Sequence, residues 1–282
     1  MSNNILKNIS YSVNIFTVII ISFGKVILMA KFNVISHRGA NLVAPQNTLP
    51  AFEKSIEIGV DGFETDIHLT SDGVPVVCHN YTIDETSDGT GEVNKMTYDE
   101  LRAFDFGSYF HEKFKGTKAP SLEEFYTLCE SADIEIMNVE IKPPLDGNME
   151  IVAKTIDGAK AHGLFDKLLI SSFSADVLVE CKKVDPQCKT GFLYAPNKTH
   201  FYKEMVFGYV KFAKKIKADY LHPHFSAVTK RYCKKLHENG IGINVWTVDK
   251  PSIITKMMKC GVDGLITNDP ETCKALIARF EE

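Results

Sequence analysis

The chain contains no Cys-x-x-Cys pair, no short internal repeat, no low-complexity stretch, no surplus of basic charge and a single tryptophan. Each absence removes a class of protein. Seven scattered cysteines, at 78, 129, 181, 188, 233, 260 and 273, are an odd number without ligand spacing. They read as small buried hydrophobes in a reducing compartment, the cytoplasm, rather than as a disulfide frame or zinc site. A secreted form would leave at least one thiol unpaired. The formal charge of −4 gives no reason to expect nucleic acid as a partner. A membrane span needs about 20 clean apolar residues, and the apolar leader Ile15–Ala30 is interrupted by Lys25.

That leader, residues 1–30, has three readings: a signal peptide with a poor cleavage site, an anchor placing residues 9–30 against a membrane, or a segment upstream of a true start at Met29. The first two would make the protein secreted or membrane-attached. The third runs Met29-Ala30-Lys31-Phe32 straight into the first domain strand.

From residue 31 to 282, strand-length apolar runs alternate with longer amphipathic stretches. Strands are expected at 33–36, 62–68, 135–141, 168–171, 189–193, 220–222, 243–247 and 264–267. Helices are expected at 48–58, 150–161, 175–184, 201–213, 229–239 and 252–260, with a last one opening at Asn268-Asp269-Pro270. Asn47 is the expected N-cap of the first helix, Pro50 is tolerated in its first turn and Gly59 ends it. After the second strand, Ser71-Asp72-Gly73 turns the chain into a hairpin at 74–78, followed by a polar excursion over 80–120 with a short helix opened by the Thr97/Glu100 capping box. Ser121/Glu124 repeats the box at the next helix. Eight strands in parallel-type alternation predict an α/β fold, a single (β/α)₈ TIM barrel with this excursion after its second strand.

Charges interrupt two of those strands. Alternation puts Glu64 and Asp66 on one face of the second, and Glu140 and Lys142 on one face of the third. Burying three carboxylates costs several kcal/mol per charge unless a cation compensates, so Glu64, Asp66 and Glu140 are candidate ligands of one divalent ion, Ca²⁺ or Mg²⁺. A bare Glu140–Lys142 ion pair is the alternative. Barrel active sites gather where the strands end. His37 and Arg38 follow the first strand, His79 returns on the hairpin, and Trp246 stands near the end of the seventh. Hard oxygen ligands, two cations for an anion and two imidazoles for proton transfer together describe phosphodiester cleavage.

These residues form an ordered set: His37-Arg38-Gly39, Pro45-Gln46-Asn47-Thr48, Glu64-Thr65-Asp66, Asp72-Gly73, His79-Asn80, Val139-Glu140-Ile141-Lys142, Trp246-Thr247-Val248-Asp249 and Thr267-Asn268-Asp269-Pro270. The set resembles the glycerophosphodiester phosphodiesterase family from about residue 33 to the C-terminus. The resemblance implies a divalent cation on Glu64, Asp66 and Glu140, an acid–base pair in His37 and His79, and phosphate binding by Arg38 and Lys142. The implied substrate is a small glycerophosphodiester such as glycerophosphocholine, cleaved through a cyclic glycerol phosphate to an alcohol and sn-glycerol 3-phosphate; one histidine takes the 2-hydroxyl proton and the other protonates the departing alcohol, with His79 as base and His37 as acid the preferred of two open assignments. Trp246 is either core packing or a wall for the glycerol or leaving alcohol.

Two positions depart from the family pattern, which usually has Glu where Gln46 stands and Asp where Asn80 stands. Loss of a carboxylate beside His79 is expected to make it harder to protonate, lowering activity or moving it toward neutral or alkaline pH. His68, though on the face of Glu64 and Asp66, is assigned to the rim. His222 and His224 are assigned to packing or rim contacts, and Lys211, Lys214, Lys215 and Lys217 to a solvated helix face. Two other functions stay open: a phosphodiesterase of lysophospholipids held at a bilayer, and a barrel that binds glycerol phosphates without turnover.

Overall fold

Eight parallel strands close on themselves: β1 (Asn33–His37), β2 (Gly62–Leu69), β3 (Ile136–Ile141), β4 (Leu168–Ser172), β5 (Lys189–Tyr194), β6 (Tyr220–Pro223), β7 (Gly242–Val245) and β8 (Gly264–Thr267). They pair in sequence from β2 to β8, and β8 and β2 both pair with β1, which seals the ring. The computed structural model describes residues 19–22, 25–28, 32–195 and 202–281. By contact the chain divides into residues 1–31 and residues 32–282. Within the first unit, Ile19–Ser22 and Lys25–Leu28 pair as an antiparallel hairpin. The candidate start, residues 29–31, lies outside the described residues. No helix among the described residues is long and apolar enough to cross a membrane.

Helices follow the strands as the 3.6-residue pattern predicts, at Leu49–Ile58, Glu150–Ala161, Ala175–Val184, Tyr202–Ile216, Lys230–His237, Pro251–Cys260 and Pro270–Glu281. The barrel is greasy outside and polar inside at the site. On β2, outward-facing Phe63 packs against Phe52 of the first helix, ring centres 5.7 Å apart, and against Phe125 at 6.2 Å. Its neighbours Glu64 and Asp66 face the lumen, buried to 4% and 1% exposure. β2 is therefore buried on both faces, and only the outer one is apolar.

The strand Pro75–Val77 runs antiparallel to β2 and launches the expected excursion. That excursion packs its own small core from Val76, Cys78, Ile83, Val93, Leu101, Phe106 and Ala119. Both capping boxes form, at Thr97/Glu100 and Ser121/Glu124. The cysteines are free thiols, six buried and Cys260 half-buried.

The first helix corrects the sequence reading. Its N-cap is Thr48, and Asn47 caps nothing. Asn47 adopts φ 56°, a conformation Asn tolerates better than most residues, and this sends its side chain into the barrel.

Candidate active site

β2 and β3 run in register with Asp66 opposite Glu140 and Glu64 opposite Asn138, so neighbouring strands deliver three carboxylates to one spot. One oxygen from each of Glu64, Asp66 and Glu140 lies within 4.8 Å of the others, the one such group of three potential ligands among the described residues.

Asp66 is the best anchored. Lys142 Nζ lies 2.7 Å from its Oδ1, Arg38 Nε 3.3 Å from its Oδ2, and Asn47 Nδ2 donates to Oδ2 at 2.9 Å. Thr65 Oγ1 in turn donates to Asn47 Oδ1 at 2.9 Å, fixing the amide. Burial opposes ionisation of Asp66, but the Lys142 and Arg38 cations outweigh it and hold the carboxyl well below its usual range. Glu64 and Glu140 are less well compensated. Burial, then the charges of Asp66 and Glu140, push Glu64 well up. Burial also lifts Glu140 to about 7, against the pull of Lys142.

Three buried acids thus face two cations, one positive charge short, and the strain of that deficit falls on Glu64 and Glu140, both raised. Oxygens at this separation can share a centre with metal–oxygen distances of about 2.0–2.6 Å. The donor set, hard, anionic and short of positive charge, fits a divalent ion.

Lys142 is 10% exposed and also sits 2.7 Å from Glu140 Oε1. The expected Glu140–Lys142 pair therefore exists, but it is one arm of a three-way cluster with Asp66. Arg38 bonds Gln46 Oε1 through Nη1 at 2.6 Å, so the Gln46 amide oxygen supplies the acceptor at this position. The turn that aims Arg38 is left-handed, φ 58° at Arg38 and 78° at Gly39. A Cβ on Gly39 would stand 2.7 Å from the Ala51 backbone, so only glycine lets the loop and helix meet.

His37, at the end of β1, places Nε2 3.9 Å from Glu64 Oε2 and bonds Asn268 Oδ1 through Nδ1 at 2.7 Å. His79 bonds Asn80 Oδ1 through Nδ1 at 2.5 Å. Burial lowers both imidazoles to about 4; Arg38 adds to the effect at His37, and Asp66 opposes it at His79. Both rings are neutral at pH 7.

His37, Arg38, His79, Glu64, Glu140 and Lys142 all border one cavity of about 470 Å³. Phe173, Leu193, Trp246 and Ile266 give it an apolar side. Trp246 is held by Nε1 donating to the His222 carbonyl at 2.7 Å and by edge contacts with Phe173 and His224, ring centres 5.6 Å away in each case. A larger cavity of about 620 Å³ opens beyond Lys142 and His68, beneath the excursion. It contains neither His37 nor His79.

His68 is not a rim residue. It is 6% exposed, its ring meets Tyr81 edge-on at 4.8 Å, and Nε2 bonds the His79 carbonyl at 3.2 Å, so it supports the backbone that presents His79. His222 is wholly buried, lowered to about 3 by burial. Sequence reasoning missed Asn47, Asn138 and Asn268. Asn138 lines the cavity with both amide ends free of hydrogen-bond partners. Asn47 and Asn268 precede prolines at helix starts, where a cap is the local expectation.

The profile of the glycerophosphoryl diester phosphodiesterase family matches residues 37–272. A glycerophosphodiester phosphodiesterase of Caldanaerobacter subterraneus subsp. tengcongensis is 35% identical over 246 residues, covering 87% of this chain and 98% of that relative. Among solved structures, a putative glycerophosphoryl diester phosphodiesterase from Silicibacter pomeroyi aligns with a TM-score of 0.81 at 27% identity, covering 89% of this chain and 94% of the other. A phosphodiesterase of Oleispira antarctica, solved in complex with the product sn-glycerol-3-phosphate, aligns at 0.78 and 26%, covering 87% and 96%.

Proposed function

This chain is an enzyme of the glycerophosphoryl diester phosphodiesterase family, and from that premise we propose that it hydrolyses deacylated phospholipids such as glycerophosphocholine to an alcohol and sn-glycerol 3-phosphate. The observation that carries the reading is the meeting of two neutral imidazoles and two of the three clustered carboxylates on one cavity with an apolar far side.

Glu64, Asp66 and Glu140 would hold one Ca²⁺ or Mg²⁺, which when bound supplies positive charge to a phosphate oxygen and acidity to the substrate's 2-hydroxyl. Arg38 takes a phosphate oxygen. Lys142 turns from its carboxylates toward the phosphate as the acids find another counter-charge. His79, neutral and bonded through Nδ1, has Nε2 available to accept the 2-hydroxyl proton as the oxygen attacks phosphorus. His37 delivers a proton from Nε2 to the departing alcohol, after the incoming phosphate charge has favoured its protonated form. Water then opens the cyclic glycerol phosphate. Trp246 walls the leaving alcohol.

A second substrate reading, a lysophospholipid, draws on Leu42 and Val43, 61% and 46% exposed on the loop that follows Arg38. Choline release from glycerophosphocholine and from lysophosphatidylcholine, each with and without EDTA, separates the readings. The main reading expects chelator-sensitive release from the first and little from the second; no release from either would leave a binding barrel. Residues 31–282 are proposed to carry the activity alone, in the cytoplasm, and a chain begun at Met29 with full turnover would support this.

A further inference from the structure

Both imidazoles of the cavity are held from behind by the same device. His37 Nδ1 meets Asn268 Oδ1 at 2.7 Å, and Asn268 Nδ2 donates to Asp249 Oδ2 at 2.8 Å. Asp249 Oδ1 also accepts from the Asn268 backbone N–H at 2.8 Å and from Thr267 Oγ1 at 3.2 Å. On the other side, His79 Nδ1 meets Asn80 Oδ1 at 2.5 Å, and Asn80 Nδ2 donates to Glu85 Oε2 at 2.8 Å. The two relays are unrelated in sequence: one comes from beyond the ends of β1, β7 and β8, the other runs from the end of the hairpin into the excursion.

The chemistry of the links fixes their direction. An ionised carboxylate only accepts, so the amide end facing it must be NH₂, and the end facing the imidazole must be the carbonyl. Asn41 Nδ2, which donates to Asn268 Oδ1 at 2.5 Å, imposes the same orientation on that side. A carbonyl in turn requires a proton on Nδ1. Each carboxylate therefore selects, through one amide, the tautomer that leaves Nε2 unprotonated. The interposed amide transmits direction without placing a full negative charge on the ring.

We propose that Glu85 and Asp249 are positioning residues, each setting the tautomer and ring orientation of one cavity histidine through Asn80 and Asn268 respectively. Glu85 is the informative member, because it is exposed and stands outside the cavity. A carboxylate five residues downstream of Asn80 thus does at one remove what an acid at position 80 would do directly. The catalytic consequence rests on the function proposed above; the tautomer does not.

The test uses the full chain with ¹⁵N-labelled histidine. Long-range ¹H–¹⁵N spectra of the wild type should show His79 as the Nδ1–H tautomer, and Glu85→Ala should yield a mixture with Nε2–H at unchanged Tm. With glycerophosphocholine, kcat should fall about tenfold while KM stays within about twofold. Glu85→Asp, which keeps an acceptor-only carboxylate, should retain more of both signals than Glu85→Gln, whose amide can present either end to Asn80, and Glu85→Ala should cost nothing more in a His79→Ala background. An unchanged tautomer and kcat in Glu85→Ala would overturn the proposal, as would Glu85→Gln holding His79 as fully in the Nδ1–H tautomer as the wild type does. An inactive wild type whose His79 tautomer still depends on Glu85 would defeat the substrate reading and leave the positioning role standing.

Discussion

Lys142 Nζ, just past the end of β3, and Asp66 Oδ1 on β2 stand 2.7 Å apart, the closest cation–anion contact of Asp66, buried where water cannot screen it. Glu140 shares the same ammonium. Lys142→Met would leave three clustered acids facing Arg38 alone. Without added cation the variant should lose about 3 kcal/mol of stability, seen as a lower denaturation midpoint, and Mg²⁺ or Ca²⁺ should recover much of the loss.

The acids also predict how cation binding depends on pH. Glu140 is raised to about 7 from an ordinary 4.5, so its contribution to stability in the cation-free protein is complete below about pH 4.5 and is lost as pH rises through 7. A bound cation favours the ionised forms of Glu140 and Glu64 and releases their protons. The rise in Tm on adding Mg²⁺ or Ca²⁺ should therefore be larger at pH 8 than at pH 5.

Asn47 ties the first loop to the acid cluster through one amide. Asn47→Gly keeps the left-handed backbone and removes only the bonds to Asp66 and Thr65. Cation affinity should drop about tenfold, with a stability cost of about 1–2 kcal/mol from the polar groups left unpaired. Calorimetric titration and thermal melts report the two effects separately.

At position 80 the structure bears on the expected pH dependence. His79 is indeed hard to protonate, lowered to about 4 mainly by burial. A base with so low a value is already free in mild acid, so its limb of the pH profile is expected at acid pH rather than alkaline. Asn80→Asp would put a carboxylate against Nδ1, favour the imidazolium and move the acid limb of kcat/KM upward at saturating cation. An unmoved limb would count against His79 as the base.

Trp246 is the one tryptophan of the chain and borders the cavity, so its fluorescence should change as glycerophosphocholine or glycerol 3-phosphate saturates the site. Trp246→Ala should raise KM about fivefold, the equivalent of about 1 kcal/mol of aromatic contact, with a smaller effect on kcat.

Much of the fold was legible because it rests on local rules: two-residue alternation on the strands, capping boxes at Thr97 and Ser121, and a left-handed glycine closing the first helix. The acid triad was legible for the opposite reason, since Glu64, Asp66 and Glu140 break the apolar expectation for buried strands. The asparagines were hidden. Asn47 and Asn268 look like helix caps from their neighbours, and their partners Asp66 and His37 are 19 and 231 positions away. His68 was misjudged because strand position alone cannot reveal that Tyr81 and the His79 carbonyl close over it.

Glu64, Asp66 and Glu140 are expected to share one ion. Titration calorimetry of Mg²⁺ and Ca²⁺ into EDTA-treated protein at pH 8 should give saturable binding of one cation per chain, abolished in a folded Glu64→Gln variant. No saturable binding by the wild type, or equal binding by Glu64→Gln, would contradict it.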